Sequence, residues 1–183
     1  MPKTTETYRL FFALWPEADL VSRISGALAD PLKGCKGRKI APQNLHITLA
    51  FIGSVDADGL RCMQQVASQL CEEPFALSLD HLGYWPRPKI IWLAPSKIPE
   101  PLIHLQASLS QSLAANCGYQ PETRPYHPHF SLVRKAQSGP DEVEISPIDW
   151  QVKTFSLIRS HTRSQGVEYE VLKYWPLRDN LQN

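Results

Sequence analysis

Two strings of four residues decide how this chain folds: His46-Ile47-Thr48-Leu49 and His129-Phe130-Ser131-Leu132. Each string opens with a histidine and continues as an apolar run of the kind that forms a β-strand. Successive side chains on a strand point to opposite faces, so each histidine shares a face with the hydroxyl residue two places later. The apolar residues point the other way. We expect one face of each strand to enter the core and the other to carry a polar pair.

The sequence around the two strings repeats one unit. In each half of the chain we predict a strand, a helix, a loop and then the strand that carries the histidine, in that order. Tyr8 precedes His46 by 38 positions and Ile90 precedes His129 by 39. This spacing predicts an α+β fold in which two strand-helix-loop-strand units form a bilobal, pseudo-twofold duplicate, with largely antiparallel sheets around a central cleft.

A length of 183 residues suits a single domain, which we divide into two related lobes at about residues 8–85 and 86–178. Hydrophobic periodicity and breaks at proline and glycine define the predicted elements. The predicted strands are 8–14, 45–52, 75–82, 90–93, 129–133, 155–158 and 167–172, and the predicted helices are 17–29, 60–70 and 101–115.

The charge balance limits the classes of function. Nineteen Lys and Arg face eighteen Asp and Glu, for a net charge of +1, which disfavours a disordered acidic chain or a strongly basic nucleic-acid coat. Any nucleic-acid contact is therefore local. One basic segment, residues 33–39, could attract RNA phosphates, and a solvated surface loop is the equal alternative.

Cysteine usage and hydropathy bear on the compartment. No apolar run approaches the roughly 20 residues of a membrane span, and the N-terminal segment lacks the features of a signal peptide, so we expect a cytoplasmic protein without membrane contact. The four cysteines contain no Cys-x-x-Cys pair. We therefore expect reduced thiols and no disulfide.

The repeated polar pair matches the needs of phosphodiester cleavage without a metal. One neutral imidazole can take a proton from water while the other, as imidazolium, gives one to the leaving oxygen. Thr48 and Ser131 can donate hydrogen bonds to phosphoryl oxygens. Arg134 can add a planar, positively charged fork. Strict alternation puts Arg134 on the opposite face from Ser131, so its role requires the strand to end or bulge near Val133.

On these residues the chain resembles the two-histidine phosphoesterases, and within them the bacterial RNA 2′,3′-cyclic phosphodiesterases, also called 2′-5′ RNA ligases. The resemblance covers nearly the whole chain. It is carried by Arg9-Leu10-Phe11-Phe12-Ala13, Asn44-Leu45-His46-Ile47-Thr48-Leu49-Ala50-Phe51-Ile52-Gly53, Ile91-Trp92-Leu93 and Arg124-Pro125-Tyr126-His127-Pro128-His129-Phe130-Ser131-Leu132-Val133-Arg134.

The resemblance implies hydrolysis of a terminal 2′,3′-cyclic phosphate to a 2′-phosphate, with reversible 2′-5′ RNA ligation as a second reaction. It implies His46 as proton donor to the 3′ oxygen, His129 as the base that activates water, and Thr48, Ser131 and Arg134 on the phosphate. It implies no metal or other cofactor, RNA ends or cyclic nucleotides as substrate, and no obligate protein partner. Ser131 departs from the usual threonine but keeps the hydroxyl.

Two alternatives stay open. The chain could be an RNA-end or nucleotide binding module without turnover, or a metal-dependent hydrolase with His127 and His129 as ligands and His161 or His104 as the third. Five aromatic residues could stack a base and could equally pack the core or its rim: Phe51, Tyr84, Trp85, Trp92 and Tyr126.

Overall fold

The computed structural model describes residues 6–141, 144–164 and 166–178, and in these ranges the chain forms ten strands and three α-helices. The strands are β1 (Tyr8–Leu14), β2 (Arg38–Lys39), β3 (Ile47–Val55), β4 (Phe75–Leu79), β5 (His81–Trp85), β6 (Ile90–Ala94), β7 (Phe130–Arg134), β8 (Ile148–Val152), β9 (Thr154–Arg163) and β10 (Gly166–Pro176). The helices are α1 (Ala18–Ala27), α2 (Ala57–Gln69) and α3 (Glu100–Cys117).

The helices begin and end where local chemistry dictates. The Asp56 carboxylate caps α2 by accepting a hydrogen bond from the Gly59 amide at 2.8 Å. Gly118 ends α3 in the left-handed conformation, with φ 68°, that glycine adopts without steric cost. The predicted apolar stripe of α3 is buried and consists of Leu102, Leu105, Leu109 and Leu113. Among the described helices, none combines the length and apolarity needed to span a bilayer.

The strands pair antiparallel in the order β10-β9-β1-β3-β7-β6-β5, with β2 beside β7 and a separate β4-β8 ribbon. The contact between β3 and β7 consists of one register pair, Ile47 opposite Phe130. Each of these residues directly follows a motif histidine. The sheet therefore has two four-stranded parts that meet where the two strings lie, and the predicted α+β class with antiparallel sheets is confirmed.

The two parts of the sheet exchange strands between the chain halves. The part that contains β1 and β3 takes β9 and β10 from the C-terminal half. The other part takes β2 and β5 from the N-terminal half. The site at the junction is consequently built from residues far apart in sequence. The assignment of 1–183 as one domain of two related lobes stays a prediction.

The core lies beneath the face of the sheet that carries the apolar residues of the two strings. Ile47 and Phe130 are fully buried, and Leu49 and Leu132 are nearly so. Their burial confirms the predicted alternation and leaves the opposite face of each strand for the polar pair.

The predicted strand 75–82 is in fact two strands, β4 and β5. The strand is interrupted at Asp80. The carboxylate of Asp80 accepts hydrogen bonds from the amide and the hydroxyl of Ser96 at 2.7 and 2.6 Å. The short strands β2 and β8 were not predicted. Both lie beside long-range partners, β7 and β4, and two to five residues carry little periodic signal of their own.

The expectation of no disulfide is wrong. Cys62 on α2 and Cys117 at the end of α3 are bonded, with their Cα atoms 5.8 Å apart. The two cysteines are 55 positions apart, and only the packing of α2 against α3 brings them together. Spacing along the sequence carries no sign of that contact.

Candidate active site

A cavity of about 580 Å³ opens where β3 and β7 meet. The residues predicted for the site all line it: His46, Thr48, His129, Ser131 and Arg134. Each of the two repeats thus contributes one histidine and one hydroxyl side chain to the same cavity.

Both histidines lie just before their strands rather than within them. A short 3₁₀ turn, Pro42–Asn44, precedes the first histidine. Pro128 precedes the second, and a proline has no amide N–H to donate to a strand ladder. Each histidine is thus the last residue before its strand begins, and its side chain lines the cavity at the junction.

The two imidazoles are held by the same hydrogen bond. His46 Nδ1 lies 2.7 Å from the carbonyl oxygen of Asn44, and His129 Nδ1 lies 2.7 Å from that of His127. A carbonyl oxygen only accepts, so each Nδ1 carries the proton and donates it. In a neutral ring this leaves Nε2 as an acceptor. Both histidines thus present the nitrogen that can exchange a proton with a bound ligand.

Arg134 reaches the cavity because β7 contains a bulge. In the pairing with β6, Ile91 lies opposite Val133 and Trp92 lies opposite Ser131, so Leu132 has no partner. One extra residue reverses the alternation beyond it. Leu132 and Val133 are both buried and Arg134 joins the face of Ser131. The bulge near Val133 that the sequence argument required is confirmed.

Three aromatic rings surround His46. The ring centroids of Phe11, Trp15 and Tyr169 lie 4.9, 5.4 and 5.3 Å from that of His46, and the Trp15 ring is parallel to it. Burial among these rings disfavours the imidazolium and lowers the pKa of His46 to about 4. The Asn44 carbonyl opposes this shift, while the charge of Arg134 adds to it.

His129 has a more open setting. One aromatic ring, that of Trp85, meets it edge-on with centroids 4.6 Å apart. Burial again lowers its pKa, the hydrogen bond to the His127 carbonyl opposes the shift, and the nearby His127 and Arg134 charges reinforce it. At pH 7 the unliganded site therefore holds two neutral imidazoles beside the Arg134 guanidinium.

Several lining residues were not predicted as site residues. Of the basic segment 33–39, Arg38 and Lys39 line the cavity, whereas Lys33 and Lys36 are absent from its lining. Arg163 and Tyr169 come from the hairpin of β9 and β10. That hairpin lies more than a hundred residues from the first string, and no motif in it indicates the contact.

A second depression of about 270 Å³ adjoins the cavity and shares His46, Thr48 and Arg134 with it. Phe51 and Arg9 also line it. The Phe51 ring is 43% exposed, and the Arg9 guanidinium lies 5.2 Å from its centroid.

Phe51 follows His46 by five positions, as Arg134 follows His129. This equal spacing in the two repeats is a sequence signal that distinguishes Phe51 from the other four aromatic candidates. The other four aromatic candidates line neither space: Tyr84, Trp85, Trp92 and Tyr126.

The ligands considered for a metal site do not assemble. His161 Nε2 contacts a Glu170 carboxylate oxygen at 2.8 Å, and His104 lies on the exposed face of α3. In residues 6–141, 144–164 and 166–178, no three His, Cys, Asp or Glu side chains are grouped closely enough to hold a metal ion.

Comparisons with known proteins find relatives of this chain over most of its length. A family model described as the 2′-5′ RNA ligase superfamily matches residues 14–163. RNA 2′,3′-cyclic phosphodiesterase of Escherichia coli K12 is 35% identical over 177 residues, which cover 94% of this chain and 98% of that protein. The Bacillus subtilis 168 protein of the same name is 29% identical over 74% of this chain and 78% of its own length. The crystal structure of E. coli LigT complexed with 3′-AMP superposes with a TM-score of 0.88 at 32% identity, over 95% of this chain and 100% of that one.

Proposed function

The chain belongs to the 2′-5′ RNA ligase superfamily, and from this premise we propose that it is an RNA 2′,3′-cyclic phosphodiesterase that opens a terminal cyclic phosphate to a 2′-phosphate. One observation carries the proposal. Two equivalent pairs, His46 with Thr48 and His129 with Ser131, line one cavity, and both imidazoles keep Nε2 available.

In the proposed reaction, His129 Nε2 takes a proton from a water molecule as the water oxygen bonds to phosphorus. The bond between phosphorus and the ribose O3′ breaks, and His46 Nε2 gives its proton to that oxygen. The products are a 2′-phosphomonoester and a free 3′-hydroxyl. The neutral form of His129, favoured by its lowered pKa, is the form that a base requires.

His46 must be protonated to act as the acid, and its pKa of about 4 leaves roughly one molecule in a thousand protonated at pH 7. A bound phosphate anion supplies the missing stabilisation, because a negative charge beside an imidazolium raises its pKa. It also offsets the Arg134 charge that disfavours the imidazolium. We therefore infer that the acid is charged together with substrate binding.

The phosphate itself is held by neutral and charged donors. The hydroxyls of Thr48 and Ser131 are the proposed donors to the non-bridging oxygens, where negative charge is concentrated in the transition state. The exposed Arg134 side chain adds a charged fork from the end of β7.

The adjoining depression suits the terminal nucleoside. Phe51 offers an exposed ring on which a base can stack, and Arg134 links this depression to the phosphate site. The substrate class is therefore an RNA end or a cyclic nucleotide. A ribose 5′-hydroxyl in the place of water would give a 2′-5′ linkage, which is the proposed ligation.

The test is incubation of the purified protein, in EDTA, with a short RNA that ends in a 2′,3′-cyclic phosphate, followed by identification of the new end. We expect a 2′-phosphate. A 3′-phosphate would mean that the other oxygen leaves. Saturable binding without conversion would favour a binding module, and conversion that requires added divalent cations would favour a metal hydrolase.

A further inference from the structure

The cavity holds more positive charge than the reacting phosphate needs. Beside Arg134, the lining includes Arg38, Lys39 and Arg163. The proposed reaction leaves these three cations unused. Arg163 is already compensated, since its Nε lies 3.0 Å from a carboxylate oxygen of Glu168.

Arg38 and Arg134 occupy opposing positions on two neighbouring strands. In the antiparallel pairing of β2 with β7, Arg38 lies directly opposite Arg134. Residues opposite each other on antiparallel strands share a face, and like charges in that position destabilise the pair. Within the described ranges, neither arginine has a carboxylate oxygen within 4 Å. Two guanidiniums that line one cavity without a carboxylate partner favour the binding of an anion there.

The position of Arg38 depends on a glycine across the cavity. A Cβ atom on Gly166, at the start of β10, would lie 2.5 Å from Arg38 Nη2, which is closer than side-chain atoms tolerate. The absence of a side chain at Gly166 lets the guanidinium pass from β2 to the β9-β10 hairpin. Arg38 thus lines the cavity and is absent from the lining of the adjoining depression, to which Arg9 and Phe51 belong.

We propose that Arg38, with Lys39 next to it, forms a second phosphate subsite that binds the 5′-phosphate of the terminal nucleotide, the phosphate that joins it to the rest of the RNA. The inference rests on the proposed function, which places the reacting phosphate between the two histidines. A guanidinium fork matches a phosphodiester, and its contact would let the site distinguish an RNA end from a free nucleoside cyclic phosphate.

The test compares two product analogues by calorimetry: adenosine 2′-monophosphate and adenosine 2′,5′-bisphosphate. They differ by the 5′-phosphate alone. We expect wild-type protein to bind the bisphosphate roughly tenfold more tightly, the order of effect of a charge-assisted hydrogen bond. In Arg38→Gln this ratio should fall toward one. Arg38→Lys, which keeps the charge and loses the fork, should retain part of it.

Lys33→Gln is the matched control. It removes one charge from the same basic segment at a residue outside the cavity lining, so it separates a local contact from diffuse attraction. We expect it to keep the wild-type ratio. A wild-type ratio near one, an unchanged ratio in Arg38→Gln, or an equal loss in Lys33→Gln would overturn the subsite.

The assay separates the subsite from the proposed function. Hydrolysis of the cyclic-phosphate RNA with no preference for the bisphosphate would remove the subsite and leave the function. A preference that depends on Arg38 in a protein that fails to hydrolyse the RNA would leave the subsite and remove the function.

Discussion

The indole of Trp15 lies parallel to the imidazole of His46, with the ring planes 6° apart and the centroids separated by 5.4 Å. Phe11 and Tyr169 close two further sides of the same imidazole, whereas in the part of the chain that the structure describes Trp85 is the one aromatic ring against His129. The two repeats thus give their histidines the same hydrogen bond and different surroundings. The difference in surroundings makes the two imidazoles chemically unequal.

Replacing Trp15 by leucine should raise the pKa of His46 toward its ordinary value, because water then reaches the ring that the indole shields. Titration of the imidazole signals by NMR measures this shift. Trp85→Leu is the reciprocal control, which should move the His129 titration and leave that of His46 in place. An unmoved His46 titration in Trp15→Leu would show that the indole does not cause the low pKa.

His46→Ala and His129→Ala should each lower the turnover of a cyclic-phosphate RNA by at least about 10²-fold, the usual scale of a positioned acid or base. Circular dichroism should show an intact fold. His104→Ala removes an exposed imidazole from α3 and should keep full turnover. Full activity in either motif variant would refute the assigned chemistry.

Local pattern sufficed for the parts of the site that each repeat builds by itself. The buried Ile47 and Phe130 follow from alternation, and the polar face of each string follows with them. The alternation of side chains along the strand also showed that Arg134 could reach the site only if the strand ended or bulged near Val133. Strand β7 contains this bulge. Helices α1, α2 and α3 were predicted within a few residues of their ends.

Contacts between distant segments could not be predicted in this way. Tyr169 and Arg163 reach the cavity because β9 pairs with β1, and Arg38 reaches it because β2 pairs with β7. The Cys62–Cys117 bond depends on the packing of two helices. Periodicity describes which face of an element is buried and contains nothing about which other element covers it.

The two hydroxyls should matter through their hydrogen bonds rather than their bulk. Thr48→Val keeps the shape and loses the donor, and Ser131→Ala loses the second donor. Each substitution should lower kcat by about 10²-fold, which is the lower end of the range for removing one hydrogen-bond donor that stabilises transition-state charge. Thr48→Ser and Ser131→Thr keep the hydroxyl and should stay within a few-fold of wild type. Equal kcat values in Thr48→Val and Thr48→Ser would exclude a hydrogen-bonding role for Thr48.

Binding of a phosphate ligand should take up protons. The unliganded site holds neutral imidazoles at pH 7, and an anion between them raises their pKa values. Calorimetry of adenosine 2′-monophosphate in buffers of different ionisation enthalpy counts the protons, and we expect uptake of about one. His46→Gln should reduce this number. Binding with no proton exchange in the wild type would contradict a substrate-charged acid.

The low pKa of His46 also makes stability depend on pH. The folded state prefers the neutral ring, with a pKa of about 4, and the unfolded chain has the ordinary value of about 6.5. The stabilisation is complete above the unfolded value. It is lost as pH falls toward the folded value, because only the unfolded state gains a proton in between.

His46→Gln isolates this contribution. The wild type should lose about 2 kcal/mol of unfolding free energy relative to His46→Gln between pH 8 and pH 5, since about 1.5 pH units of unequal protonation at 1.36 kcal/mol each separate the two states. Urea unfolding of both proteins at a series of pH values measures the difference. A difference that stays constant or grows in favour of the wild type on acidification would mean that His46 is not held neutral by its aromatic surroundings.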